Sequence, residues 1–157
     1  MEALGKKIEA LTSTTEAPQA KLDNSTTRII SYSSCPPPFR KFRSLCLLAV
    51  CEEKTWPAAR QNCWREGGDL LWISNTEEHR AASAFFEENK NCFKNIWAWS
   101  GLHRNGGALV WNNPDAGAYR GSKIYRKNSK YFIISGPVGK FYGTSASFPR
   151  PSICRRP

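Results

Sequence analysis

Apolar residues recur at helical spacing in the stretch TWPAARQNCWREGG, residues 55–68. Trp56, Ala59 and Cys63 are three and four positions apart, so a helix would place them on one face. Thr55 is a suitable N-cap, and the pair Gly67-Gly68 ends a helix because glycine accepts the left-handed cap conformation. The pattern predicts an amphipathic helix with Cys63 on its buried face.

A second helical pattern covers about residues 76–89. Ser74-Asn-Thr-Glu77 matches the capping box, in which the serine caps forward and the glutamate reaches back. Behind it, four residues keep helical spacing: Ala82, Phe85, Phe86 and Asn89. The chain is therefore predicted to form two helices before it changes to another pattern.

The other pattern is a series of short apolar runs separated by turn residues. The runs predict strands at residues 45–50, 70–73, 97–102, 109–111, 131–134, 139–142 and 152–154. Asn105-Gly-Gly107 is a hairpin signal between two of them. The order of elements predicts an α+β fold with two helices and short antiparallel sheets.

The first 34 residues differ from the rest, because they contain no cysteine and no tryptophan. Leu4, Ile8 and Leu11 have heptad spacing, which predicts the stub of a coiled coil and leaves open an oligomer formed through this segment. Residues 12–27 are rich in Thr, Ser, Ala and Pro, as in a linker. We therefore assign residues 1–34 to a stalk and residues 35–157 to the folded domain.

Six cysteines narrow the class of protein. No pair has the Cys-x-x-Cys spacing of a zinc ribbon, and the chain has only two histidines, so we expect no metal site and no cofactor. An even number of cysteines without metal-site spacing instead indicates three disulfides formed in an oxidising compartment.

The location follows from the disulfides. No apolar run approaches the roughly 20 residues of a membrane helix, so we expect no direct insertion into a membrane. The residues after Met1 contain no apolar signal core. We expect an extracellular protein, either secreted or the trimmed ectodomain of a membrane protein. The sequon Asn24-Ser25-Thr26 would fit glycosylation of an exported chain.

From Cys35 to Cys154 the chain resembles the C-type lectin-like domain family in its long form. Five segments in the family's order carry the resemblance: Cys35-Pro…Phe39…Cys46, Thr55-Trp56…Ala59-Arg60…Cys63…Gly67-Gly68-Asp69-Leu70, Asn75-Thr-Glu77-Glu78, Trp99-Ser-Gly-Leu102 and Ser152-Ile-Cys154. The resemblance implies the C-type lectin-like fold, stapled by disulfides.

The resemblance also implies a pairing of the cysteines. In the family's pattern Cys35 pairs with Cys46, and Cys63 pairs with Cys154. The family's second long disulfide has no counterpart, because no cysteine lies between positions 92 and 154. Cys51 and Cys92 are left over, and we expect them to pair with each other. The alternative is a bond between two chains.

Sugar-binding members of the family hold calcium with a Glu-Pro-Asn or Gln-Pro-Asp loop and a Trp-Asn-Asp segment, because calcium requires several oxygen ligands. Here Phe141-Tyr142-Gly143 stands in the place of Trp-Asn-Asp. Asn113-Pro114-Asp115 resembles the loop, but its position directly after Trp111 favours a tight turn. Because residues 116–157 contain no acidic residue, we expect no calcium site of the family type.

The last third of the chain is strongly basic. All 13 acidic residues lie at or before Asp115, whereas residues 116–157 contain nine Lys or Arg residues. The tyrosine-interleaved cations predict a ligand-binding surface: Arg120, Lys123, Tyr125, Arg126, Lys127, Lys130 and Lys140. Such a surface attracts sulfated or carboxylated glycans and acidic protein faces. The competing interpretation is ordinary solubility charge.

These observations predict a calcium-independent recognition module that binds a protein or an anionic glycan. The alternative is a carbohydrate-binding C-type lectin with a degenerate or rearranged calcium site. Nucleic acid is not the expected partner, because disulfides and export place the chain outside the cell. An enzyme is not expected either, since the chain has two histidines and no recognisable constellation of paired carboxylates.

Overall fold

The structure is a computed structural model, and it describes residues 35–94, 96–121 and 123–157. The chain divides into two units, residues 1–37 and residues 38–157. The helices and strands described below belong to the second unit. The predicted stalk, its heptad pattern and the Asn24 sequon lie outside the described residues, so the domain assignment stays a prediction.

Two α-helices, one 3-10 helix and nine strands are the regular elements in the described part of the second unit. In chain order they are β1 (Arg40–Phe42), β2 (Leu45–Lys54), α1 (Trp56–Arg65), β3 (Asp69–Leu70), α2 (Thr76–Glu88), β4 (Ala98–Asn105), β5 (Ala108–Val110), a 3-10 helix (Pro114–Ala116), β6 (Ile124–Tyr125), β7 (Tyr131–Ser135), β8 (Lys140–Thr144) and β9 (Arg150–Arg156). Neither helix is long and apolar enough to cross a membrane.

The described strands form one mixed sheet rather than separate antiparallel sheets. Its order is β1-β2-β9-β4-β7-β8-β6, with β3 paired to β9 and β5 paired to β4. Two pairings are parallel, β9 with β4 and β6 with β8. Parallel neighbours are distant in sequence, so the turn signals that predict hairpins give no information about them. For this reason the sequence does not predict the short strand β6, which pairs in parallel with β8.

Helix α1 matches the predicted pattern on its buried face. Trp56, Ala59 and Cys63 are buried together. Thr55 is the N-cap, but its side chain makes no capping hydrogen bond. Thr55 is therefore the N-cap, as predicted, by the position of its backbone and not by a bond from its hydroxyl.

The cap of α2 lies one residue later than predicted. Asn75, not Ser74, is the N-cap, and its side-chain oxygen accepts a hydrogen bond from the Glu78 backbone N–H at 2.9 Å. The Glu78 carboxylate accepts the reciprocal bond from the Ser74 backbone N–H at 2.8 Å. Asparagine is as good an N-cap residue as serine. The sequence therefore offers two capping boxes that are one residue apart, one starting at Ser74 and one at Asn75. Glu78 also bonds Arg155, which favours the later one.

The disulfides join the helices to the sheet. Cys63 on α1 is bonded to Cys154 on β9, and Cys51 on β2 is bonded to Cys92 after α2. The two leftover cysteines are therefore paired within the chain. Cys35 and Cys46 are also disulfide-bonded, and no cysteine among the described residues is free.

Tryptophan side chains supply much of the core. Four tryptophans are buried: Trp56, Trp72, Trp99 and Trp111. Burial is expected of core residues and not of rings on which a sugar stacks. Trp64 is 52% exposed and lies under the guanidinium of Arg60, with 4.8 Å from the Arg60 Cζ to the ring centroid.

Candidate functional site

Three side chains of the basic region meet around Tyr125. Strand β6 pairs in parallel with β8, with Tyr125 opposite Tyr142, and the two rings stack with centroids 4.7 Å apart. The Lys123 Nζ lies 5.5 Å from the Tyr125 ring centroid, and the Lys140 Nζ lies 5.8 Å from it. The strand pairing thus brings together two lysines that are 17 positions apart in sequence. We call Lys123, Tyr125, Lys140 and Tyr142 the Tyr125 cluster.

The next predicted residues lie in the turn between β6 and β7. Arg126 has a φ of 53°, and its carbonyl oxygen accepts a hydrogen bond from the Ser129 N–H at 2.9 Å. The side chains of Arg126, Lys127 and Lys130 are exposed. Lys130 Nζ lies 5.7 Å from the Tyr131 ring centroid. The turn therefore presents three cations to solvent.

Gly143 allows this turn to lie against β8. A Cβ at position 143 would collide with the carbonyl oxygen of Arg126 and the side chain of Ser129. The missing side chain therefore lets the backbone of the basic turn approach β8 closely. Gly143, which belongs to the segment that the sequence resemblance sets against Trp-Asn-Asp, thus has a packing role.

Arg120 has a different environment from the other predicted cations. Its guanidinium donates to the backbone carbonyls of Tyr119, at 2.8 Å, and of Leu109. Trp111 donates its indole N–H to the same Tyr119 carbonyl at 2.7 Å. Burial lowers the pKa of Arg120. These bonds give Arg120 a structural role in the segment between β5 and β6, a role that the charge pattern alone did not predict.

The buried side chain of His79 on α2 contacts two segments near the Tyr125 cluster, one at Tyr119 and one at Gly139. Its Nε2 donates to the carbonyl of Gly139, next to Lys140, at 2.8 Å. Its Nδ1 is 3.0 Å from the Tyr119 hydroxyl, which donates when Nε2 carries the ring proton. The ring also stacks on Phe141 at 5.2 Å between centroids. A single core histidine thus fixes the start of β8 relative to the Tyr119 loop.

Few carboxylates neutralise the basic region within the described part of the chain. Arg155 is bonded to Glu78, with 2.8 Å between Nη1 and Oε1. Arg126, Lys127, Lys130 and Lys140 form no ion pair with a described residue. A surface cation without a neighbouring acid keeps its field for an incoming anion.

A hollow of about 560 Å³ opens beside the Tyr125 cluster. Tyr142 lines it and also stacks on Tyr125, so the hollow and the cluster adjoin. Its walls carry aromatic and cationic groups, namely Trp97, Tyr142, Phe148, Arg126 and Arg150, together with the Thr144 hydroxyl. In the sequence, Arg150 is only one of the nine cations of residues 116–157. Its place in a hollow results from tertiary packing against Trp97, which lies 53 positions earlier.

The residues at the expected calcium positions have other roles. The Asn113 side-chain oxygen accepts a hydrogen bond from the Asp115 N–H at 2.8 Å, so the motif closes a 3-10 turn. Phe141 is fully buried in the core. Within residues 35–94, 96–121 and 123–157, no three His, Cys, Asp or Glu side chains are grouped to hold a metal ion.

Comparison with known proteins shows which proteins this chain resembles. No family model matches the chain. The rat protein named regenerating islet-derived protein 3-alpha is 32% identical over 89 residues, which are 53% of this chain and 51% of that protein. Human C-type lectin domain family 4 member D is 27% identical over 77 residues, which are 44% of this chain and 36% of that protein. The chain thus spans about half, or less, of the length of these relatives.

A solved structure agrees with the sequence relatives. The C-type lectin CEL-I from Cucumaria echinata superposes with a TM-score of 0.64 at 17% identity, covering 77% of this chain and 96% of that chain. This chain has the C-type lectin-like fold. The predicted fold class and the predicted family resemblance are therefore confirmed. In this fold, Phe141, Tyr142 and Gly143 are residues of β8, and none of them offers a carboxylate.

Proposed function

We propose that this C-type lectin-like domain is an extracellular, non-enzymatic recognition module that binds a protein or an anionic glycan without calcium. The observation that carries the proposal is the convergence of Lys123 and Lys140 on Tyr125, in a part of the chain without any acidic residue. Cations held beside an aromatic ring combine electrostatic attraction with a surface for apolar contact. The contact surface proposed here is the Tyr125 cluster together with Arg126, Lys127 and Lys130.

Calcium independence is supported by the side chains at the family's calcium positions. Asn113 uses its oxygen within a turn, and the strand segment offers an aromatic side chain and a glycine. A hard cation needs several oxygen ligands with negative charge, and the basic surface would repel it. The alternative, a sugar-binding lectin with a rearranged calcium site, requires carboxylates that residues 116–157 do not contain.

Heparin, a sulfated polysaccharide, is a suitable probe for the surface. The double variant K123Q/K140Q removes the two cations nearest Tyr125 and leaves the ring in place. The matched control K41Q/K90Q removes the same charge from two exposed lysines outside the surface. We expect K123Q/K140Q to weaken heparin binding several-fold more than the control, since each phosphate- or sulfate-type contact adds to affinity and to its salt dependence. Equal losses in the two variants would mean that only net charge matters, and would contradict the proposed surface.

A further inference from the structure

Arg150 is a buried cation at the start of β9. It is 6% exposed, and its Cζ lies 3.9 Å from the centroid of the Trp97 ring. The Phe148 ring centroid lies 5.6 Å from the same carbon. Aromatic faces offset part of the cost of removing a guanidinium from water. They do not supply the opposite charge that buried cations normally have.

The hydrogen bonds of Arg150 are incomplete. A guanidinium has five N–H donors. Within the described residues, Arg150 makes one hydrogen bond, from Nη2 to the Thr144 hydroxyl at 2.6 Å. Its Nε–H is buried without a partner. Burial lowers the pKa of Arg150, yet an arginine stays protonated at neutral pH.

Arg155, on the same strand, has the counter-charge that Arg150 lacks, and its own Nε–H is likewise buried without a partner. Its Cζ lies 4.4 Å from the Trp72 ring centroid, so it too is stacked on a tryptophan. Its guanidinium bonds the Glu78 carboxylate through two nitrogens, at 2.8 and 3.0 Å, and also donates to the Trp72 carbonyl. Strand β9 therefore carries two arginines stacked on tryptophans, one with a carboxylate and one without.

The space beside Arg150 suits the missing group. The hollow of about 560 Å³ is lined by aromatic, aliphatic and hydroxyl side chains and by two arginines, and by no acidic residue or lysine. Aromatic residues and arginine are typical of the centres of protein interfaces, whereas lysine is depleted there. At the rim, Phe148 is 59% exposed and Ile96 is 46% exposed. An apolar rim favours a protein side chain over the hydroxyl-rich face of a sugar.

We propose that this hollow receives a carboxylate of a protein partner at the Arg150 guanidinium, with an adjoining apolar side chain against Phe148 and Tyr142. The proposal deepens the proposed function and rests on it. A planar carboxylate matches the guanidinium fork, in the way Glu78 already matches Arg155. Arg126, which also lines the hollow, adds a second positive charge.

The Arg150 Nε–H gives a direct readout. Its resonance in the ¹H–¹⁵N spectrum is assigned from its loss in R150K, or by triple-resonance spectra if that variant does not fold. The protein is titrated with N-acetyl-aspartyl-phenylalanine amide, which carries a side-chain carboxylate, and with N-acetyl-phenylalanine, which carries a terminal one. N-acetyl-phenylalanine amide is the neutral control, and glucuronate and sulfate represent glycan anions.

We expect saturable shifts of the Arg150 signal with one or both carboxylate peptides, and binding at least ~10-fold weaker for the neutral amide, since a charge-assisted pair is lost. Comparing the affinities of the two peptides shows whether the site prefers a side-chain carboxylate or the carboxylate of a chain terminus. Equal or tighter binding of glucuronate or sulfate would overturn the protein partner in favour of a glycan anion. No shift with any anion would overturn the site.

Two variants test the contacts. R150K keeps the charge but removes the planar fork, and we expect at least ~10-fold weaker peptide binding. F148A removes an exposed wall of the hollow, and we expect several-fold weaker binding. R40K is the matched control on β1 and should bind as the unmodified domain does. The proposed function is tested separately, by heparin binding through Lys123 and Lys140. If the peptides do not bind but heparin does, this proposal fails and the proposed function stands.

Discussion

The Glu78 carboxylate and the Arg155 guanidinium lie 2.8 Å apart, and this pair joins the first turn of α2 to β9. Both side chains are mostly buried, and Glu78 also accepts a hydrogen bond from the Ser74 backbone N–H. One carboxylate thus closes the helix cap and neutralises a core arginine. The stability of the α2–β9 contact therefore depends on the charge of Glu78.

Replacing this carboxylate should destabilise the domain. Glu78→Gln keeps the shape but removes the charge, and it leaves Arg155 without a counter-ion. We expect a loss of about 1–3 kcal/mol in the free energy of unfolding. Urea denaturation measures it, with Glu77→Gln as the control, because Glu77 is an exposed neighbour in the same helical turn. Equal stability of the two variants would contradict the role assigned to the pair.

The same pair predicts a loss of stability in acid. Burial alone would raise the pKa of Glu78, but the bonds from Arg155 and the Ser74 N–H, together with the charge of Arg155, outweigh it and lower that pKa. The unfolded state therefore binds a proton more readily than the folded state. The stabilisation is complete above the pKa of an unfolded glutamate and is lost as the pH falls through the lower folded value. Urea midpoints measured from neutral pH down to pH ~3 should fall less steeply in Glu78→Gln.

The Cys51–Cys92 disulfide should contribute to stability and leave recognition unchanged. It closes a loop of 41 positions, for which loop entropy predicts about 3–4 kcal/mol. We expect C51S/C92S to unfold at a lower urea concentration but to bind heparin as the unmodified domain does below its unfolding transition. A large loss of heparin binding in the folded variant would show that this bond shapes the basic surface.

His79 should couple the core to the basic surface. His79→Phe keeps the stacking on Phe141 but leaves the Gly139 carbonyl and the Tyr119 hydroxyl without their partner. We expect a loss of about 1–3 kcal/mol in unfolding free energy. Heparin binding should also weaken, because Lys140 follows Gly139 directly. Unchanged heparin affinity in a destabilised variant would assign His79 to the core alone.

The elements with local signals were predictable from the sequence, and those set by distant contacts were not. Trp56, Ala59 and Cys63 lie on one buried face because helical spacing is a local property. The predicted strand at residues 70–73 is a strand only at Asp69–Leu70, although Leu71, Trp72 and Ile73 remain buried. Apolar composition predicted their burial, but the strand pairing with β9 covers only Asp69 and Leu70, although the Leu71 N–H still donates to the Ile153 carbonyl at 3.0 Å.

In the candidate site, too, some features were predictable from the sequence and others were not. The cluster of lysines and tyrosines is visible in the sequence, and β6–β8 pairing explains how Lys123 and Lys140 converge. The inward position of Arg120 was missed, because only the fold shows which carbonyls lie near its guanidinium. Arg150 was missed as a pocket residue, because its stacking partner Trp97 is remote in sequence. Contacts of this kind depend on topology rather than on local pattern.

Recognition of an anionic partner without calcium is tested most directly by one equilibrium measurement. Heparin binding is measured at fixed ionic strength with millimolar calcium and again with an excess of chelator. The account predicts the same affinity in both, and a steep decrease in affinity when salt is added. Loss of binding on chelation would contradict the account. It would make Asn113 and Asp115 the leading candidates for calcium ligands and would favour a sugar-binding lectin with a rearranged site.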